Sequence, residues 1–128
     1  MHGVLKMLLK YCAVSILSIL STASYAASKD GVFTVLQRGN DSCGSFTAAA
    51  QKGTHQSNWA QWNLYTAYAM GYFTGVNTYE QNTINIIGNT DTQGVMGNVE
   101  KYCKDNPLKT FLDALDATAV ELYSNRKK

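Results

Sequence analysis

Reactive side chains are few in this sequence, and their spacing builds no recognisable catalytic set. His55 lies in Gly53-Thr54-His55-Gln56, a loop context with no carboxylate close in sequence. Asp113 and Asp116 stand three residues apart, a spacing at which two helical carboxylates can face one another and share acid–base work. On an amphipathic helix the same spacing is usually solvating charge. No serine occupies a Gly-x-Ser-x-Gly turn. Gly94-Val95-Met96-Gly97 is not followed by the Lys and Ser/Thr of a phosphate-binding loop. The sequence therefore predicts a protein that is not an enzyme and that carries no cofactor and no metal.

Cysteine is the remaining reactive type, at Cys12, Cys43 and Cys103. Their meaning depends on the compartment, and the first residues bear on that. Lys6 and Lys10 form a short basic region ahead of a mostly apolar run, Tyr11 to Leu20. Ser24-Tyr25-Ala26 then places small residues at the two positions a signal peptidase reads. This order predicts a secretory signal peptide over residues 1–26, cleaved after Ala26. A retained anchor is the alternative, but the run falls short of the roughly 20 residues that span a bilayer. Residues 27–128 remain, enough for a single helical domain. Cys12 leaves with the signal. Cys43 and Cys103 then most simply form one disulfide in an oxidising, periplasmic setting. A redox pair or a metal site is the other reading. No CxxC supports it, and His55 is the only histidine past the cleavage point.

Cleavage also removes Lys6 and Lys10 and no acid, so the eleven basic residues fall to match the nine acidic ones. Balanced charge argues against nucleic acid as a partner, and Arg126-Lys127-Lys128 alone is too short a basic tract to change that.

Hydrophobic periodicity predicts an all-α domain of four helices. Asp41 or Ser42 caps the first, with Cys43, Phe46, Thr47 and Ala50 on one face and Gly53 at its end. Val32, Phe33, Val35 and Leu36 precede it as a short strand or an ordered arm. The second helix, capped by Ser57 or Asn58, is the most distinctive, because no Asp, Glu, Lys or Arg occurs between Lys52 and Glu80. Trp59, Trp62, Tyr65, Tyr68, Ala69 and Tyr72 recur at three- and four-residue steps. Ala67, Gly71 and Gly75 form a second stripe, small enough to admit a closely packed helix. Gln61, Asn63, Thr66, Thr74 and Asn77 interrupt the segment too often for stable membrane insertion. Two readings of its aromatics stay open: a buried central helix, or a contact surface for a protein partner.

Ile84, Ile86 and Ile87 mark a polar connection that dips into the core. The third helix begins at Thr90 or Asp91 and carries Val95, Met96, Val99, Tyr102 and Cys103 on one face. Asn106-Pro107 suits the start of the fourth, with Leu108, Phe111, Leu112, Leu115, Ala119 and Leu122 as its stripe.

Val99-Glu100-Lys101-Tyr102-Cys103-Lys104-Asp105-Asn106-Pro107-Leu108-Lys109 resembles the second-cysteine segment of the small periplasmic acid-stress chaperones of the HdeA/HdeB type. Ser42-Cys43-Gly44-Ser45-Phe46 resembles their first, and the likeness runs from about Ser42 to Tyr123. The cysteines stand further apart here than is usual in that family. The uncharged segment Trp59 to Tyr79 looks more like a branch similar to immunity proteins of the type VI secretion amidase class. The resemblance implies a disulfide-tied helical fold, with Cys43 bonded to Cys103, and no catalysis. It implies an ATP-independent chaperone that exposes apolar surface at low pH to hold unfolded client proteins. The alternative is an immunity or inhibitor protein that binds one secreted enzyme through a rigid surface, for which Gly39 to Ser42 and Asn77 to Asn89 are candidates. A third is an assembly factor of the cell envelope. A homodimer is compatible with the leading reading.

The signal reading has a direct check. Mass spectrometry of the exported protein should find Ala27 at its N-terminus, whereas an intact membrane-bound precursor would overturn it.

Overall fold

Four helices form, and three of them start where a side chain satisfies exposed backbone N–H groups of the first turn. The computed structural model describes residues 28, 30–53 and 59–128. The signal segment, His55 and the Ser57/Asn58 cap fall outside them. Helix α1 is Cys43–Gly53, α2 is Trp59–Tyr79, α3 is Thr92–Asp105 and α4 is Phe111–Leu122. Ser42 Oγ accepts the Ser45 N–H at 3.1 Å, capping α1. Asp91 Oδ1 accepts the Gly94 N–H at 2.8 Å, capping α3. Thr110 and Asp113 exchange bonds in a capping box at the head of α4. These elements belong to one unit, Val35–Lys128, while residues up to Thr34 form a separate one. Val32 and Phe33 are exposed, and the described residues before Thr34 form no strand.

The start of α4 differs from the sequence expectation. Asn106 does not begin a helix. Its backbone N–H and its Nδ2 both donate to the Tyr102 carbonyl at 3.0 Å, closing the end of α3. Pro107 to Lys109 then form a turn against the head of α1. The Gly44 N–H donates to the Pro107 carbonyl at 3.2 Å, and the Cys43 N–H to the Lys109 carbonyl at 2.8 Å. The Phe111 N–H returns the contact, donating to the Asp41 carbonyl at 2.8 Å. The turn is thus held where its carbonyls meet the orphan amides of α1, which postpones α4 to Phe111. Leu108, expected on the core stripe, is 96% exposed as a result.

The Cys43–Cys103 disulfide sits beside this turn, with Cα atoms 4.7 Å apart, and joins α1 to α3. Both cysteines are fully buried. Around them the core gathers Phe46, Tyr65, Phe111, Met96, Val99 and Leu115. Phe46, Tyr65 and Phe111 form an aromatic triangle with ring centroids 4.8 to 5.2 Å apart. Ile86 dips into the core from the α2–α3 connection, Ile87 is half-buried, and Ile84 stays outside at 72% exposed. Gly88 closes that connection at φ +62°, and a Cβ there would meet the Asn125 carbonyl oxygen at 2.3 Å, so only glycine fits.

Replacing Cys43 with serine should lower unfolding stability by about 2–5 kcal/mol in urea melts without reductant. An unchanged midpoint would mean that the packing alone holds α1 against α3.

Candidate functional site

Helix α2 carries most of the aromatic surface, and its placement decides what that surface can do. Tyr65, Ala69 and Phe73 are buried; Trp62, Tyr68, Tyr72 and Val76 are half-buried against the core. These positions repeat at helical spacing, so the aromatic stripe faces inward. Trp62 stacks on Phe46, with centroids 6.0 Å apart. Trp59 is the exception, 57% exposed at the head of the helix. Of the two readings left open by the sequence, core fits Tyr65, and outward-facing surface fits Trp59. Trp62 and Tyr72 lie between.

The small-residue stripe does not pack as expected. Ala67 and Gly71 are exposed and Gly75 is half-buried. A Cβ at Gly71 or Gly75 would meet nothing within 4 Å. Ala67 lies two residues, about 200° of helical rotation, from both Tyr65 and Ala69. Burying the aromatic side, with its larger apolar area, turns the small side away. The outward face is Ala60, Leu64, Ala67, Gly71, Thr74 and Thr78, free of charge along its length.

Polar tethers fix the inner face. Tyr65 donates its hydroxyl to Asp41 Oδ2 at 2.7 Å. Arg38 donates to the same oxygen at 3.0 Å and to Gln61 Oε1 at 2.7 Å. Its guanidinium lies 5.0 Å from the centre of the Tyr65 ring. Arg38 belongs to the 3-10 turn Gln37–Asn40, so this cluster pins that turn to α2. Gly39 of the turn is buried, and a Cβ there would strike the Tyr68 hydroxyl. Further along, Tyr72 donates a short hydrogen bond to Asp116 of α4. Asn77 Oδ1 accepts the Ile86 N–H at 2.7 Å.

The electrostatics follow from these contacts. Burial pushes the Asp41 carboxyl up, but the hydrogen bonds from Tyr65 and Arg38 outweigh it and hold it below the usual range. Burial, then the Asp41 bond, pushes the Tyr65 hydroxyl up to about 12. Burial and Asp116 likewise raise Tyr72. Backbone and side-chain bonds from Thr110 hold Asp113 below its ordinary value.

Asp113 and Asp116 therefore do not act as a pair. Asp113 is committed to Thr110 and Asp116 to Tyr72. Neither Asp41 nor Asp116 emerged from the sequence as a tether. The available sign was the choice of tyrosine over phenylalanine on a core-facing stripe, since a half-buried hydroxyl needs a partner. Among the described residues, no group of three or more His, Cys, Asp and Glu could hold a metal. No described helix is long and apolar enough to cross a membrane. Comparison with protein-family models, with curated proteins and with solved structures finds no match to this chain.

Gly71→Leu should leave the unfolding midpoint within about 0.5 kcal/mol of the parent, or raise it slightly through helix propensity. Tyr72→Phe should cost about 1 kcal/mol by removing the bond to Asp116. Thermal melts of both variants check this; a severe loss at Gly71 would mean that another element covers the outward face.

Proposed function

We propose that this chain is a small exported, periplasmic protein-binding protein whose α2 helix is held closed by carboxylates and loosened by acid. In the loosened state it would capture unfolding polypeptides without ATP. The observation that carries the reading is the pair of tyrosine–carboxylate tethers, Tyr65 to Asp41 and Tyr72 to Asp116, on the one helix rich in aromatics. The likeness of Val99 to Lys109 to the HdeA/HdeB-type chaperones supports it.

The sign of the pH effect is set by Asp41 and Asp113, both held below the ordinary carboxylate value. A carboxylate depressed in the folded state contributes stability above its unfolded pKa of about 4. That contribution is lost as pH falls through the folded value. Acid thus removes the Arg38–Asp41 ion pair and weakens the α4 cap together. At the same time the nine acidic side chains lose charge while the basic ones keep theirs, adding self-repulsion. The disulfide has no such dependence, so α1 and α3 would stay joined while α2 loosens.

A second reading rests on a different observation. Gln37 holds a left-handed φ of +50°, rare for a side chain of its type, within a turn stapled by Arg38–Asp41 and Asn40–Val35 bonds. Leu36, the residue immediately before that turn, is 67% exposed. A fixed, strained loop with an outward apolar side chain suits an inhibitor or immunity protein with one partner.

The two readings separate in acid. For the chaperone, dye binding should rise and Trp62 emission shift together between about pH 4 and 2, with the disulfide intact. Light scattering of an acid-denatured client should fall over the same range. A fold that stays closed to pH 2, with clients aggregating as they do alone, would overturn the chaperone reading in favour of the inhibitor.

A further inference from the structure

At the opposite end of α3 from the disulfide, the chain that leaves α4 returns to the α2–α3 connection. The 3-10 turn Tyr123–Asn125 follows α4 directly, and Arg126 then takes up extended backbone. Lys127 pairs antiparallel with Asn85. Its carbonyl accepts the Ile84 N–H at 2.8 Å and the Asn85 N–H at 3.2 Å, and its own N–H donates to the Asn85 carbonyl at 2.9 Å. The Asn125 carbonyl lies so close to Gly88 that no Cβ fits between them.

Arg126 fastens this return. Its Nε donates to Thr83 Oγ1 at 3.1 Å and its Nη1 to the Tyr123 carbonyl at 2.8 Å. The guanidinium lies 3.7 Å from the centre of the Tyr123 ring. Tyr123 in turn donates its hydroxyl to Glu80 Oε1 at 3.1 Å, just past the end of α2. None of the side chains from Tyr123 to Lys128 is buried. Ile86, by contrast, is fully buried, and its N–H is held by Asn77. The connection thus has an inner anchor of apolar burial and an outer one of hydrogen bonds and a cation over a ring. Segments held by solvent-facing hydrogen bonds with little apolar burial open locally at less cost than global unfolding.

We propose that Tyr123–Lys128 is a releasable strap, which lifts from Glu80–Gly88 as one unit while the disulfide-tied core stays folded, with Arg126 as its pin. Arg126 touches both the connection, at Thr83, and the strap's own ring, at Tyr123. Losing it undoes the bond to Thr83 and the support of the ring that reaches Glu80 together. Release frees the N–H groups of Ile84 and Asn85 and the Asn85 carbonyl, a short backbone edge beside the exposed Ile84 side chain. Such an edge pairs with extended chain, the form in which Lys127 occupies it. In the closed fold the strap therefore keeps this edge covered. The device does not rest on the acid reading. It works at neutral pH through a guanidinium, hydroxyls and backbone groups, and Glu80 is the one carboxylate bonded to it among the described residues.

Native-state hydrogen exchange of the oxidised protein at pH 7, read residue by residue by NMR, tests it. The amides of Ile84, Asn85 and Lys127 should share one protection factor, at least roughly ten-fold below those of Val99 and Leu115 in the core helices. Arg126→Ala removes the pin, and Thr83→Val removes its acceptor while keeping the arginine. Each should lower protection at the three amides about ten-fold and leave Val99 and Leu115 unchanged. Three amides as protected as the core, or not protected at all, would overturn the strap. So would protection that differs among the three, or variants that leave it unaltered or lower the core amides equally.

Discussion

The disulfide between Cys43 and Cys103, with the backbone bonds beside it, is the constraint on which the rest of this small fold depends. It closes a loop of 60 residues. Loop-entropy arithmetic gives such a closure about 4 kcal/mol. That is a large share of the roughly 5–15 kcal/mol by which domains are stable. Its position matters as much as its strength. The bridge fixes the head of α1 against the end of α3, and the chain emerging from α3 must then pass the unsatisfied amides of α1. Gly44 and Cys43 take the carbonyls of Pro107 and Lys109, Phe111 takes that of Asp41, and α4 starts only after this exchange. Phe111 is thereby set between Phe46 and Tyr65, where the core is densest in aromatics. A covalent bond, a turn and a helix register form one linked arrangement.

Against that fixed side, α2 is attached by weaker and more varied means. It has packing through Tyr65, Ala69 and Phe73, and it has hydroxyl-to-carboxylate bonds through Tyr65 and Tyr72. Packing of this kind is insensitive to pH, whereas bonds to Asp41 are not. The molecule divides by chemistry: α1 and α3 are joined by a bond acid does not break, and α2 by contacts acid can weaken. This asymmetry makes a partly opened state with an intact disulfide physically reasonable.

Much of the fold was legible because period and punctuation agreed. Ser42, one of the two candidate caps, does cap α1, and α3 starts within two residues of the expected Thr90 or Asp91, with Asp91 as its cap. Cys43, Phe46 and Ala50 share the buried face of α1, as their spacing implies. Asn106-Pro107 misled for a physical reason. Asparagine serves a helix end as well as a helix start, and proline is at home in either flanking turn. The true cap, Thr110 with Asp113, carries an equally good local pattern. Only the competition for α1's amides, a contact across more than sixty residues, selects between them. The stripe Ala67, Gly71, Gly75 misled differently. Small residues permit a close approach without requiring one, and a neighbouring stripe with more apolar area took the buried side.

The two faces of α2 present the remaining physical tension. A 21-residue helix without charge has few ways to advertise an outward side to water. Here that side consists of alanines, glycine and threonines, with Leu64 half exposed. The threonines give it little polarity, because Thr74 and Thr78 donate their hydroxyls back to the carbonyls of Met70 and Thr74. The face is neutral and smooth, and it lacks the large anchors that dominate tight interfaces. Those anchors, Trp62, Tyr65 and Tyr72, lie on the other side of the helix. A strong contact with another polypeptide through this helix would therefore need its inner face turned outward. The bonds to Asp41 and Asp116 hold that inner face against the rest of the fold. That links the binding reading to the ionisation of Asp41 more closely than to the stripe of small residues.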